Sequence, residues 1–229
     1  MKRAFLATLS LFLFFLPFLA MGADALPDSA PVVRGLKDLL TVGSERAVKR
    51  GAKIDGYAGN KAIRIDLPDD LEHLPSRLVK FGFQAQLDAF VLSLNRAAEV
   101  SAPRAAGLFS VAIRETAFDD PRKILEEGDT GATDYFRKKS FDRLYKSFTP
   151  LVAAGMNEAG VFRAYREMME KYEAESVASF PVDEWGFDLE GYVTEKALDG
   201  LFRMMGEEEK RIRKEPEARS TEPLRQVFR

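Results

Sequence analysis

The run Tyr192 to Arg213, YVTEKALDGLFRMMGEEEKRIR, places the strongest constraint on the fold. At about 100° per residue, Val193, Ala197, Leu198, Leu201, Phe202, Met204, Met205 and Ile212 fall within one half of a helical wheel. Glu195, Lys196, Asp199, Arg203, Glu207 and Lys210 fill the other half. Asp199–Arg203, Arg203–Glu207 and Glu207–Arg211 are spaced to pair along the polar side, at about 0.2–0.5 kcal/mol each. Each large apolar side chain gains roughly 1.5–3 kcal/mol when fully buried. The apolar side therefore decides, and it needs other helices to cover it. Gly200, at the edge of that side, costs about 1 kcal/mol against alanine, so a close helix crossing is expected there. Thr194 and Glu208 are polar residues on the apolar arc. A threonine there bonds back to the carbonyl one turn earlier. An unpaired buried carboxylate is expensive. At Glu208, then, either the helix has left the core or the side chain pairs with an arginine from another helix.

The remaining chain reads as shorter helices able to pack on this one. Val32, Leu36, Leu39, Leu40, Ala47 and Val48 recur at helical spacing from Pro31 to Gly51. Further helices are expected over Asp69–Phe81, Gln84–Ala102, from Pro103, and from Pro121 to Glu127, with Asp120 as N-cap. The pattern of the following segment, ATDYFRKKSFDRLYKSF, is interrupted at Pro150 and resumes to Gly155. Val161–Tyr172 and a terminal helix after Pro216 complete the set, and Asp188 caps the long one. Residues 51–68 differ: glycines and turn-formers precede Ile63, Ile65 and Leu67, whose alternation suggests a short extended piece. Its suggested partner is the segment Ser179–Trp185. The fold class is all-α: a single-domain helical bundle of about eight helices around one long C-terminal helix, with an irregular or extended segment near 51–68.

Composition narrows the function. The 229 residues are 46% apolar and 31% charged, which describes a globular chain of one domain. Lys2, Arg3, the apolar run Ala4–Leu16, Pro17 and the small residues Ala20 and Gly22 read as a signal peptide over residues 1–22. A retained membrane anchor is the alternative, although the run is short for a span. Residues 23–33 then form a flexible mature N-terminus and 34–228 the helical domain. Beyond the leader no transmembrane segment is expected. The compartment is the periplasm. The net charge of −2 argues against nucleic acid as a partner. With no cysteine and a single histidine, His73, thiol chemistry and histidine-rich metal sites are excluded. His73 reads as a surface residue. No cofactor is implied: there is no phosphate-binding glycine loop, nucleophile elbow or zinc-protease motif.

Polar residues on core faces are the candidate site. Asp88, Asn95 and Glu99 flank the inner face of their helix. They form either a hydrated boundary layer or a positioned amide and carboxylate. Thr133, Asp134 and Arg137 share the face of Phe141, Leu144, Tyr145 and Phe148, with Asp134 and Arg137 spaced to pair. They form either a salt bridge under a loop or a site where Arg137 grips a carboxylate or phosphate.

Several of these stretches resemble a known family. Asn95-Arg96-Ala97-Ala98-Glu99, Ala132-Thr133 with Tyr135-Phe136-Arg137, Tyr192-Val193-Thr194 with Lys196 to Phe202, Glu207-Glu208-Glu209 with Ile212-Arg213 and Pro216, and Val227-Phe228 are similar to an exported bacterial family catalogued as domain of unknown function 4197. The resemblance spans roughly residues 34–228. Pro121 departs from it, standing where a small residue follows the acidic pair. The resemblance implies an exported, mostly helical protein of Gram-negative bacteria, with no catalytic residues to carry over. It draws attention to Asn95, Arg96, Glu99, Thr133, Arg137, Thr194 and Asp199. Arg96 and Asp199 point away from their own core faces, so a second layer or a partner has to cover them.

The residues support no reaction. The leading expectation is an envelope protein that binds a partner protein or small ligand in a groove between helices. One alternative is a hydrolase of envelope material using Glu99, Asp134 and Glu208 with Arg137 as clamp, which needs two carboxylates facing one cleft. The other is a carrier of a small apolar ligand, which needs an internal cavity.

Overall fold

The computed structural model describes residues 29–67, 78–175 and 188–228. The expected signal peptide, His73, Trp185 and the suggested Ser179–Trp185 pairing lie outside the described residues, as does most of the helix expected over Asp69–Phe81. The described chain is helical, with no strand. Its elements are α1 (Ser29–Gly51), α2 (Gln84–Glu115), α3 (Pro121–Glu126), α4 (Gly131–Glu158), α5 (Val161–Glu175), α6 (Leu189–Lys214), a 3-10 turn (Pro216–Ala218) and α7 (Glu222–Val227). Helix α1 thus begins ahead of the domain boundary expected at 34.

Helix α6 is the organising run. Its apolar arc is buried against α1, α2 and α4. Phe202 meets Phe109 of α2 at 5.4 Å between ring centroids, and Phe136 and Phe141 of α4 at 5.8 and 6.1 Å. These are tilted or edge-on geometries, the ones aromatic quadrupoles favour. The centre is shared, however: α2, 32 residues long, packs on α1, α4, α5 and α6.

The two prolines expected to break helices do not. Pro103 lies inside α2 and Pro150 inside α4. Each removes one intrahelical bond. Both sit on the exposed side of their helix, where water can serve the carbonyl left free. The buried sides run on without a break because they pack against each other. At Gly155 of α4, a Cβ would run into Ser101 and the Ala97 carbonyl of α2.

The caps match expectation. Asp120 accepts from the Lys123 N–H (3.1 Å) and Asp188 from the Gly191 N–H (2.8 Å). The expected lacing along α6 is largely replaced by pairs between elements. Asp199 takes Arg137 of α4, Glu207 takes Arg50 of α1, and only Arg203–Glu207 remains, at 3.9 Å. The terminal segment is shorter than one helix from Glu217. A 3-10 turn precedes α7, whose Leu224 is buried, and Phe228 just beyond it is buried too.

Candidate functional site: a charged cleft between α4, α6 and the 51–67 segment

After Gly51 the chain makes successive turns through Ile63, then runs without helix or turn from Arg64 to Leu67. The alternation is real: Ile63 and Ile65 are buried, whereas Arg64 and Asp66 are exposed. The extended piece has no strand beside it among the described residues. Asn95 of α2 takes that part. Its Oδ1 accepts from the Ile65 N–H (2.9 Å) and its Nδ2 donates to the Ile65 carbonyl (2.7 Å). Nδ2 also donates to the Val91 carbonyl (2.9 Å). One buried amide thus satisfies both backbone groups of a buried residue, as an antiparallel neighbour would.

Glu99 holds the start of the same segment. Its Oε1 accepts from the N–H groups of Tyr57 (3.0 Å) and Ala58 (3.1 Å), and its Oε2 from Arg96 (2.5 Å). Arg96 reaches on to Asp55 (2.8 Å), which has the left-handed φ of 62° that aspartate tolerates better than most residues. The second layer required for Arg96 is this turn. Tyr57 is fully buried and donates to the Ala197 carbonyl of α6 at 2.6 Å. Burial, then the charges of Glu99 and Asp199, push its phenol well above the ordinary value, so it remains a donor. The ring lies against Gly200, where a Cβ would fall 2.5 Å from it. The glycine is needed for this tyrosine, not for the helix crossing the sequence suggested.

The anchored segment forms one wall of an open cleft of about 720 Å³, with α4 and α6 as the others. Of the candidate residues, Thr133, Asp134, Arg137 and Asp199 line it. The expected Asp134–Arg137 pair does not form. Asp134 accepts from the Thr130 hydroxyl (2.7 Å), and Arg137 pairs with Asp199 of α6 (2.6 Å) while lying over the Phe141 ring at 5.1 Å. Asp199 is thereby covered by α4.

Thr133 differs from four other threonines of the described chain. Thr41, Thr116, Thr149 and Thr194 all donate to the carbonyl one turn earlier. Thr133 stands in the first turn of α4, so that carbonyl belongs to the preceding loop. Its Oγ1 is buried with no hydrogen-bond partner.

The other candidates serve the frame. Thr194 is buried and bonded back to the Glu190 carbonyl (2.7 Å), as expected. Glu208 is buried and paired across helices with Arg46 of α1 (3.2 Å), with Arg211 at 3.3 Å. The helix has not left the core there. Glu209 is the residue that sequence reasoning missed. Fully buried, it accepts from the N–H groups of Ala132 (3.0 Å) and Thr133 (2.7 Å) and pairs with Arg213 (2.7 Å). It therefore caps α4 from another helix, where Thr130 makes no side-chain cap. It falls between Leu198 and Phe202 on the wheel, so the reading that flagged Glu208 had the means to flag it.

Of the three carboxylates proposed for acid–base work, only Asp134 lines this cleft. Both oxygens of Glu99 are taken by backbone and Arg96, and Glu208 faces α1. Among the described residues, no group of three His, Cys, Asp or Glu residues is placed to hold a metal ion, and no helix is long and apolar enough to cross a membrane.

No curated protein and no solved structure matches the chain. Residues 27–229 match the model of a family described as protein of unknown function (DUF4197), which confirms the resemblance carried by the asparagine, arginine and glutamate motifs, and the chain belongs to that family.

Proposed function

We propose that this chain is an exported periplasmic protein of the bacterial envelope that binds a polar ligand, free or on an envelope partner, in the cleft between α4 and α6. The observation that carries the reading is Thr133: a buried hydroxyl without a partner in the lining of a cleft of about 720 Å³. Such an orphan costs about 1–3 kcal/mol, a cost that a ligand acceptor removes. The cleft volume falls in the range of small-molecule sites, roughly 300–1,000 Å³. Its open, charged lining suits a polar ligand better than an apolar cargo. The anchoring of the 51–67 wall by Asn95 and Glu99 supports a preformed site, which lowers the entropic cost of binding.

Two experiments test the proposal. Fractionation of cells expressing the full chain, with mass spectrometry of its N-terminus, should find a periplasmic species starting between residues 23 and 26; a full-length cytoplasmic product would refute export. A thermal-shift screen of envelope extract fractions should give a saturable shift in the wild type that Thr133→Val together with Arg137→Gln abolishes. A shift unchanged in that double variant would place binding outside the cleft.

A further inference from the structure

The cleft is lined by Arg64, Arg137, Lys196, Arg203 and Lys210 against Asp66, Asp134, Asp199 and Glu207. The partners of these groups show where charge is left over. Asp66 pairs with Arg64, and Glu207 with Arg50, which reaches in from α1 and does not line the cleft. Lys210 pairs with Asp129 outside the lining. That leaves Arg137, Lys196 and Arg203 with two carboxylates, Asp199 and Asp134, the latter taking the Thr130 hydroxyl. Asp199 is committed to Arg137. Lys196 has only the Tyr192 ring, at 5.5 Å, and Arg203 only the already paired Glu207, at 3.9 Å. Lys196, Asp199 and Arg203 follow one another at i, i+3 and i+7, hence on one face of α6.

Resting on the binding reading above, we infer that the cleft is a receptor for a phosphate monoester dianion, held between Lys196 and Arg203 with Arg137 behind them. The surplus among these groups is one positive charge, on a chain whose net charge is −2. Lys196 and Arg203, the two cations without a close carboxylate of their own, suit a phosphate group, which carries about −1.5 to −2 at neutral pH. Arginine offers paired N–H donors to two phosphate oxygens, and lysine adds a mobile point charge. Arg137 and Asp199 are about half and a third exposed, respectively. Their ion pair is therefore worth little, and an incoming phosphate can exchange with Asp199 on Arg137 at low cost. The Asp199 carboxylate already occupies the place of such a ligand. Thr133, whose buried hydroxyl has no partner, belongs to the lining on the α4 side.

The experiment is titration of the folded chain with glycerol phosphate, followed by calorimetry and by amide shifts. The comparison proteins are Lys196→Gln/Arg203→Gln and, as a charge-matched control outside the cleft, Lys146→Gln/Lys171→Gln. The expected result is saturable binding that weakens at least ~10-fold in the double variant, weakens with added salt and is unchanged in the control. Both substituted side chains are exposed, and equal melting temperatures would confirm that the fold is intact. Vesicles containing phosphatidic acid distinguish the sources: recruitment lost in the double variant assigns a lipid headgroup, and binding of the soluble ester alone assigns a free metabolite. Absence of saturable binding, or binding equal in the double variant, overturns the inference. A neutral or carboxylate ligand from the extract screen that binds the cleft while the phosphate ester does not would overturn it and leave the binding reading standing.

Discussion

The 51–67 segment meets α2 through Asn95 and Glu99, and it borders the cleft with Arg64 and Asp66. On the α2 side, Asn95 and Glu99 commit both of their polar ends to this chain's own backbone and to Arg96. On the cleft side, Thr133, Lys196 and Arg203 are left with an empty hydroxyl, a ring face and a distant carboxylate. Polar residues in neighbouring motifs thus do different work. Saturated groups fix the backbone; unsaturated ones keep interaction capacity in reserve. Mutation should separate the two sets by the sign and size of the stability change.

The largest effect is expected at Glu99. Glu99→Ala leaves two backbone N–H groups and the Arg96 guanidinium without their acceptor, and should cost about 3–5 kcal/mol in urea unfolding. A loss below about 1 kcal/mol would mean that the wall is held otherwise. Gly200→Ala comes next. The added methyl meets the buried Tyr57 ring, so overpacking of about 1–3 kcal/mol should outweigh the gain in helix propensity; a more stable variant would show that the ring moves freely.

Tyr57→Phe should cost about 1 kcal/mol at neutral pH through the hydrogen bond to Ala197. It should also change the alkaline limb. The folded phenol holds its proton above the unfolded value of 10.0, so the folded state binds more protons at high pH. The wild type should therefore lose stability as pH rises above about 10, by up to about 1.4 kcal/mol per unit. The phenylalanine variant should lose less, as measured by unfolding at pH 8 to 11. Thr133→Val should have the opposite sign to these three. It removes an unsatisfied hydroxyl at nearly constant volume and should leave stability unchanged or raised by about 1 kcal/mol, while weakening ligand binding. The smallest effect belongs to Lys196→Gln/Arg203→Gln, within about 0.5 kcal/mol for each exposed substitution. A large loss there would move these two residues into the structural set.

Much of the architecture was legible because helical periodicity reports burial directly. The arc of α6 and the inner faces of α1 and α2 are where the spacing put them. On α4, Leu144 and Phe148 are buried as expected, but Asp134 and Arg137, read onto the same face, are exposed because the buried stripe runs through Phe136 and Ser140 instead. Pro103 and Pro150 misled because local propensity knows nothing of the α2–α4 contact that keeps both helices intact. The candidate site was legible only by residue type. Asn95 and Glu99 stood out as polar groups beside a core face, but their partners are 30 and 41–42 residues away. No spacing rule reaches that far. Arg137 was noted as a clamp, yet its Asp199 partner lies 62 residues on, and the nearer Asp134 was the natural guess.

The two grips on the irregular segment have a consequence for how this stretch can vary. Glu99 takes hold at positions 57 and 58 and Asn95 at 65, two side chains one helical turn apart on a rigid rod. The chain between them is metered like a strap between fixed buckles. Residue type at the exposed positions 61, 62 and 64 is free to drift, but residue count is not. One inserted or deleted position would leave a buckle empty or turn Ile65 to solvent.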